Sequence, residues 1–307
     1  MGGGAGQPTN GEHVSIKDVS LRDGLQNEAQ VVATDDKLRL LDALCGAGLR
    51  HIELTSFVSP KWVPQLADAE ELARRAGSPP GVRLSALTPN DKGLERALRT
   101  QLPEVTVLVS ASETHNRKNL NQSIEETSAA LAELVPAARA AGRQVRGYVS
   151  MAWGCPYEGA VDPGRAVALA RHLYGLGCRP IALTDALGVA SPRQSRELVQ
   201  LLLREVPTEA VALHFHDTRG TALANVLAAL DLGIRDFDAA VASLGGCPFA
   251  PGSAGNLATE DLVYMLDEMG LSTGIDLEAL IAAGNLAEEI VGRPLPGKVH
   301  RAGPFRR

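Results

Sequence analysis

The stretch Ala212-Leu213-His214-Phe215-His216-Asp217 is an apolar run that ends in two histidines one residue apart. In a β-strand, side chains i and i+2 share a face, so a strand ending here aims both imidazoles one way while Phe215 packs behind them. Either histidine alone reads as an ordinary core or surface residue. The pair at a strand end, followed by Asp217-Thr218-Arg219-Gly220, reads as half of a metal site, because imidazole is a common ligand of divalent ions. The remaining ligands must come from the same end of the same sheet, just past the last residues of the other strands.

Composition bounds the answer. The chain has 307 residues, 45% of them apolar, enough for one α/β barrel or two smaller domains. Aromatic residues are only 4%, which leaves Ala, Leu, Val and Ile to build the core, as in helix-wrapped parallel sheets. A net charge of −6 with no basic block gives a nucleic-acid partner no electrostatic footprint. No apolar run reaches the roughly 18 residues of a membrane span. The segment Met1 to Gly6 carries neither a signal nor a transit pattern, and Gly6 stands where N-myristoylation wants Ser or Thr. Cys45, Cys155, Cys178 and Cys247 form no CxxC pair and no zinc spacing, so a reducing, cytoplasmic setting is expected.

Short β-branched or apolar runs recur near 15–20, 51–55, 82–87, 105–110, 145–151, 180–184, 210–215 and 237–242. Between them lie helical patterns such as Asp36–Ala47, Ile124–Ala141, Pro163–Leu176 and Pro192–Glu205, with helix-stopping glycines at Gly48, Gly142 and Gly177. Eight strands alternating with helices over this length predict a (β/α)₈ TIM barrel, whose active site lies at the C-terminal ends of the strands. A doubly wound sheet fits less well, since no GxGxxG follows the first strand. The expected organisation is a flexible N-terminal segment over 1–13, a barrel with its C-terminal helices over 14–292, and a loosely ordered tail over 293–307. The extra helices are expected at Leu257–Met269 and Leu277–Val291.

A barrel predicts that chemistry collects just after each strand, and it does. Arg22-Asp23-Gly24-Leu25-Gln26 follows the first strand, Glu53 and Thr55-Ser56-Phe57 belong to the second, Thr184-Asp185 to the sixth, and Gly245-Gly246-Cys247-Pro248 follows the eighth. Arg22 and Asp23 alone would read as a solvated ion pair. Beside the His214/His216 pair, Asp23 becomes a carboxylate ligand and Arg22 a fixed cation able to hold an oxyanion. Two imidazoles, a carboxylate and an amide oxygen make a mixed N/O site suited to Mg²⁺ or Mn²⁺. Asn256 is the amide candidate, with an N-cap on the helix after it as its other reading. Cys247 and Cys155 both sit in glycine-containing loops where a thiol could act as acid, base or nucleophile, and position does not choose between them.

The motifs Arg22-Asp23-Gly24-Leu25-Gln26-Asn27-Glu28, Thr55-Ser56-Phe57-Val58-Ser59-Pro60-Lys61-Trp62-Val63-Pro64-Gln65, Arg146-Gly147-Tyr148-Val149-Ser150, Gly154-Cys155-Pro156-Tyr157-Glu158-Gly159, and Gly245-Gly246-Cys247-Pro248 with Gly255-Asn256-Leu257-Ala258-Thr259-Glu260-Asp261 resemble those of the hydroxymethylglutaryl-CoA lyase family, metal-dependent barrels that catalyse retro-Claisen cleavage. The resemblance runs from about Val14 to Leu280. It implies metal ligands at Asp23, His214, His216 and Asn256 and a catalytic cysteine at Cys247. It also implies a substrate-carbonyl contact at Arg22, with Asp23 or His214 as base. Gln26, Glu53, Tyr148 and Asp185 take supporting roles, and the substrate is an acyl-CoA thioester split to acetyl-CoA and acetoacetate. A homodimer is expected.

The chain departs from the family pattern on strand six, where Ala182-Leu183-Thr184-Asp185 has Ala182 in place of a common serine. If Ala182 faces the acyl group, a hydroxyl is lost there and Thr184 adds one nearby. A bulkier 3-substituted 3-hydroxyglutaryl-CoA is therefore an alternative substrate. The other rivals are a condensing enzyme or aldolase on the same barrel, and a catalytically silent binding barrel.

Overall fold

Residues 13–246 and 254–305 are described by the structure, a computed structural model. The strands are β1 (Ser15–Asp18), β2 (His51–Ser56), β3 (Arg83–Leu87), β4 (Glu104–Ser110), β5 (Gln144–Ser150), β6 (Ile181–Asp185), β7 (Val211–Phe215) and β8 (Asp236–Ala239). They close a parallel barrel in sequential order, with β8 returning to β1 from Ser15↔Asp236 to Asp18↔Ala239. Every expected strand is present, shifted by a few residues at most.

The helices between them start and stop on local chemistry. Ser123 and Glu126 form a capping box at Ile124–Ala140, and Ser191 and Gln194 form one at Pro192–Leu202. Gly177, at φ 102°, ends Pro163–Leu176 in the left-handed conformation that glycine adopts without a Cβ penalty. Among the described residues, no helix is long and apolar enough to cross a membrane.

The strands alternate with a sense that decides where chemistry can go. Ile16, Ile52, Leu54, Val105, Val107 and Phe237 are buried in the main apolar cluster. The intervening residues meet one another inside the barrel: Lys17 Nζ lies 3.3 Å from Glu53 Oε1, 3.2 Å from Glu104 Oε1 and 3.3 Å from Thr106 Oγ1. Arg146 Nη2 donates to Asp238 Oδ1 at 2.6 Å. A barrel interior is commonly filled with branched aliphatics; here a charged, hydrogen-bonded network fills it, and buried charges of this kind hold only when each is paired.

The tail departs from expectation. Pro294–Arg307 reads as a Pro, Gly and basic segment, yet Leu295 is fully buried and Lys298–Ala302 forms a helical turn. Lys298 Nζ donates to Asp217 Oδ2 at 2.7 Å, and Asp261 accepts the Val299 backbone N–H at 2.7 Å. One apolar anchor and these charged hydrogen bonds dock the segment against Thr259–Glu268, so 293–305 is ordered structure rather than a loose tail. The expected helix over Leu257–Met269 is Thr259–Glu268, and Leu277–Val291 is as expected. The N-terminal segment expected over 1–13 lies outside the described residues up to position 12.

Candidate active site

β7 ends as expected. His214 and His216 are buried, and the Phe215 ring packs behind them against Trp153 with centroids 5.4 Å apart. β1 runs into a single turn of π-helix over Ser20–Gly24, closed by the Gly24 N–H on the Val19 carbonyl, and this turn delivers Arg22 and Asp23 to the same place. Asp23 Oδ2 stands 4.0 Å from His214 Nε2 and 3.7 Å from His216 Nε2. One donor atom from each of the three residues lies within 4.8 Å of the others. Ligands held 2.0–2.1 Å from one ion stand about 3–4 Å apart, so this spacing fits a single small cation.

Asn256 completes the group. It bridges to His216 across the end of β7, and its Nδ2 donates to Asp23 Oδ2 at 3.0 Å and to the Leu244 carbonyl at 3.1 Å. Among the described residues its Oδ1 is buried with no hydrogen-bond partner, an acceptor left over beside three metal-type donors. The N-cap reading of Asn256 is not observed, because the next helix is entered through Ala258 without a side-chain cap. Gly255, next to it, packs so tightly that an added Cβ would lie 1.0 Å from the Gly245 carbonyl oxygen. Gly255→Ala is therefore expected to destabilise the protein by at least the ~1–3 kcal/mol of overpacking, read as a lower denaturant midpoint at unchanged m-value. An unchanged midpoint would mean that the two ends of this loop do not meet.

Arg22 is pinned. Its Nε donates to Glu53 Oε2 and its Nη1 to Asp23 Oδ1, and Nη2 has no partner among the described residues. Burial alone would weaken the proton's hold on the guanidinium, but Glu53 and Asp23 outweigh it and keep Arg22 charged. Burial would likewise raise the Asp23 carboxyl, yet Arg22 first, then the imidazoles of His216 and His214, hold it well below the carboxylate range. Gln26 Nε2 donates to Asp23 Oδ1 at 3.2 Å, so both oxygens of Asp23 are oriented.

The residues expected in support divide into two kinds by what they touch. Glu53 and Gln26 touch the central pair directly. Tyr148 acts one step away: its hydroxyl donates to Asp238 Oδ2, which also faces His214 Nδ1 at 3.2 Å. Asp185 accepts the backbone N–H groups of Val189 and Ala190 at 3.1 and 2.8 Å and ties the loop after β6, while its carbonyl accepts the His216 N–H at 3.2 Å. Cys247 lies outside the described residues; Cys155 is buried, with its Sγ 2.9 Å from Ser112 Oγ.

Asp238 is the residue that sequence reading missed. Burial would raise its carboxyl, but Arg146 and the His214 contact hold it well below its usual range. An ionised carboxylate only accepts, so in this contact His214 Nδ1 is the donor and Asp238 Oδ2 the acceptor, which orients the ring with its Nε2 edge toward Asp23. The signal was available: in Asp236-Phe237-Asp238-Ala239, charges alternate on a strand buried in the barrel.

The mouth holds a cavity of about 290 Å³ lined by Arg22, Asp23, Gln26, Tyr148, Thr184, His214 and His216 among others. Ala182 is not on its wall. It is fully buried one layer deeper, clustered with Tyr148 and Ala212. The expectation that Ala182 faces the acyl group is thus corrected, since in strand geometry the residue two positions nearer the mouth, Thr184, takes that place.

A family model described as HMGL-like matches residues 13–287. The mouse protein named hydroxymethylglutaryl-CoA lyase, mitochondrial, is 48% identical over 291 residues, covering 95% of this chain and 90% of its own length. Among solved structures, the Bacillus subtilis HMG-CoA lyase superposes with a TM-score of 0.93 at 46% identity, covering 95% of this chain and 98% of that one. An Acinetobacter baumannii HMG-CoA lyase in complex with coenzyme A and 3-methylmalate gives a TM-score of 0.92 at 39% identity, with 97% of each chain covered.

Proposed function

This chain belongs to the HMGL-like family, and we propose that it cleaves 3-hydroxy-3-methylglutaryl-CoA (HMG-CoA) to acetyl-CoA and acetoacetate. The observation that carries this reading is the convergence of Asp23, His214 and His216 beside a pinned Arg22 at one cavity. Asp23, His214, His216 and Asn256 are the residues that would hold a divalent ion. That ion, Mg²⁺ or Mn²⁺, would polarise the tertiary hydroxyl and distal carboxylate of the substrate as a Lewis acid.

The chain's own groups account for the rest. The hydroxyl proton passes to Asp23 or His214, the two candidate acceptors that converge on this point. The bond between C2 and C3 then breaks, C3 becomes the ketone of acetoacetate, and the electron pair moves onto the thioester as an enolate. Arg22, held by Glu53 and Asp23, is oriented to stabilise that oxygen. Cys247 delivers a proton to C2 and completes acetyl-CoA; its segment leaves from Gly245, whose backbone packs against Gly24 and Asn256.

Asp238 is assigned a positioning role, fixing the tautomer and plane of His214. Partners of this kind are typically worth about 10–100-fold in metal affinity or activity. Asp238→Asn is expected to lose that much in Mn²⁺ affinity by calorimetry, and an unaltered affinity would remove Asp238 from the site. The activity is tested by incubating HMG-CoA and larger 3-alkyl homologues with the Mg²⁺-loaded protein and assaying acetyl-CoA. HMG-CoA is expected to be the preferred substrate, and absence of acetyl-CoA from every thioester would contradict the proposal.

A further inference from the structure

The ladder register sets four polar side chains at one level around the barrel mouth. Ser110 on β4 pairs with Ser150 on β5. The pairs Tyr148↔Ala182 and Val149↔Leu183 carry the β5–β6 register on to Thr184, and Thr184 pairs with His214 on β7. Neighbouring strands lie about 4.8 Å apart, so adjacent members of this row can reach one ligand atom together.

Two of the four are already committed. Ser110 Oγ accepts the Ser112 backbone N–H at 3.1 Å and lies 3.1 Å from His115 Nδ1, and His214 faces Asp23 and Asp238. The other two are not. Among the described residues, Ser150 Oγ and Thr184 Oγ1 are buried with no hydrogen-bond partner, and both residues belong to the cavity lining. Thr184 is only 8% exposed. A buried hydroxyl without a partner is costly and uncommon, and its presence asks for a ligand or a functional reason. Two of them on adjacent strands, beside His214 and on one cavity wall, point to a single group that accepts from both.

We propose that Ser150 and Thr184 form a two-hydroxyl subsite for the distal carboxylate of the acyl chain. The subsite selects a dicarboxylic 3-hydroxy thioester over one that lacks that carboxylate. The inference rests on the proposed function and deepens it by saying how the acid end is recognised. A carboxylate oxygen accepts two donors at once, and hydrogen bonds to a charged acceptor are roughly twice as strong as neutral ones. Asp23 is the one acidic residue among the described cavity-lining residues, and it is taken up by Arg22, Gln26 and Asn256, so no protein carboxylate competes for the two hydroxyls. Thr184 pairs with His214 in the ladder, so a carboxylate held at the Asp23/His214/His216 centre would have Thr184 on the adjacent strand.

The test compares two thioesters in the Mg²⁺-loaded protein: KM and kcat for HMG-CoA, and the competitive Ki of 3-hydroxy-3-methylbutyryl-CoA, which lacks the distal carboxylate. Thr184→Val keeps the shape and removes the hydroxyl, Ser150→Ala does the same on β5, and Thr184→Ser restores the donor. The Thr184→Val/Ser150→Ala pair is expected to raise KM for HMG-CoA by at least the ~10–100-fold of one lost bond to a charged group, while the Ki of the butyryl thioester holds. Thr184→Ser should stay near wild type. Thermal melts identify a variant that has unfolded, in which case the single substitutions decide. An unchanged KM, or equal weakening of both thioesters, would overturn the subsite. If the wild type turned over no HMG-CoA, the proposed function would fail. The calorimetric Kd values of the same two thioesters would then still decide whether the hydroxyls read the carboxylate.

Discussion

Replacing Asp23 with Asn is expected to abolish turnover, and so is stripping the wild-type protein with a chelator. Asp23 is the one carboxylate of the triad, and it also meets Arg22, Gln26 and Asn256. The substitution removes the anionic ligand and leaves Arg22 with Glu53 alone. A bound divalent ion contributes several kcal/mol of charge stabilisation, and each ~1.36 kcal/mol is tenfold in rate, so the loss should reach roughly 10³-fold or more. Adding Mg²⁺ or Mn²⁺ should restore the chelated wild type and should fail to restore the variant. His216→Ala should behave like Asp23→Asn, with Mn²⁺ affinity falling in parallel by calorimetry. Full activity in the stripped protein would take the ion out of the account, whatever the geometry of the ligands.

Cys247→Ser is expected to lower kcat by about 10²–10⁴-fold or more while leaving metal affinity unchanged. A thiol ionises near pH 8.5 and an alcohol far higher, so serine keeps the size and loses the acid, and general acid catalysis is typically worth that range. Cys155 is the internal control. Its Sγ is engaged by the Ser112 hydroxyl and by the Tyr157 backbone N–H at 3.4 Å, and it does not line the cavity. Cys155→Ser should be mild; a larger loss there than at Cys247 would reverse the roles of the two loops.

The fold was legible because the strands are short, largely apolar and alternate with helices, so eight repeats of one unit left little choice of topology. Candidate site residues at or just past a strand's C-terminal end were legible for the same reason: Asp23, Thr184, His214 and His216 fall where a barrel puts chemistry. What failed was depth. Ala182 and Thr184 share a strand face, and sequence alone does not say which layer meets the cavity; the register with Tyr148 and Ala212 puts Ala182 below it. Asp238 was passed over because a carboxylate within a buried strand looks like a strand-end charge until Arg146, Tyr148 and His214 are seen around it. The tail was misjudged from composition: Pro and Gly argue for looseness, but Leu295 and the Lys298 pairs are tertiary contacts that no local pattern reveals.

Carbon–carbon cleavage is tested most directly by following labelled carbon. HMG-CoA carrying ¹³C at C2 and at the 3-methyl group is incubated with the Mg²⁺-loaded protein, and the products are read by NMR. Breaking the C2–C3 bond requires all C2 label to appear in the acetyl methyl of acetyl-CoA and all 3-methyl label in acetoacetate, in equal amounts. Both labels retained in one CoA thioester, as after dehydration or thioester exchange, would contradict the account.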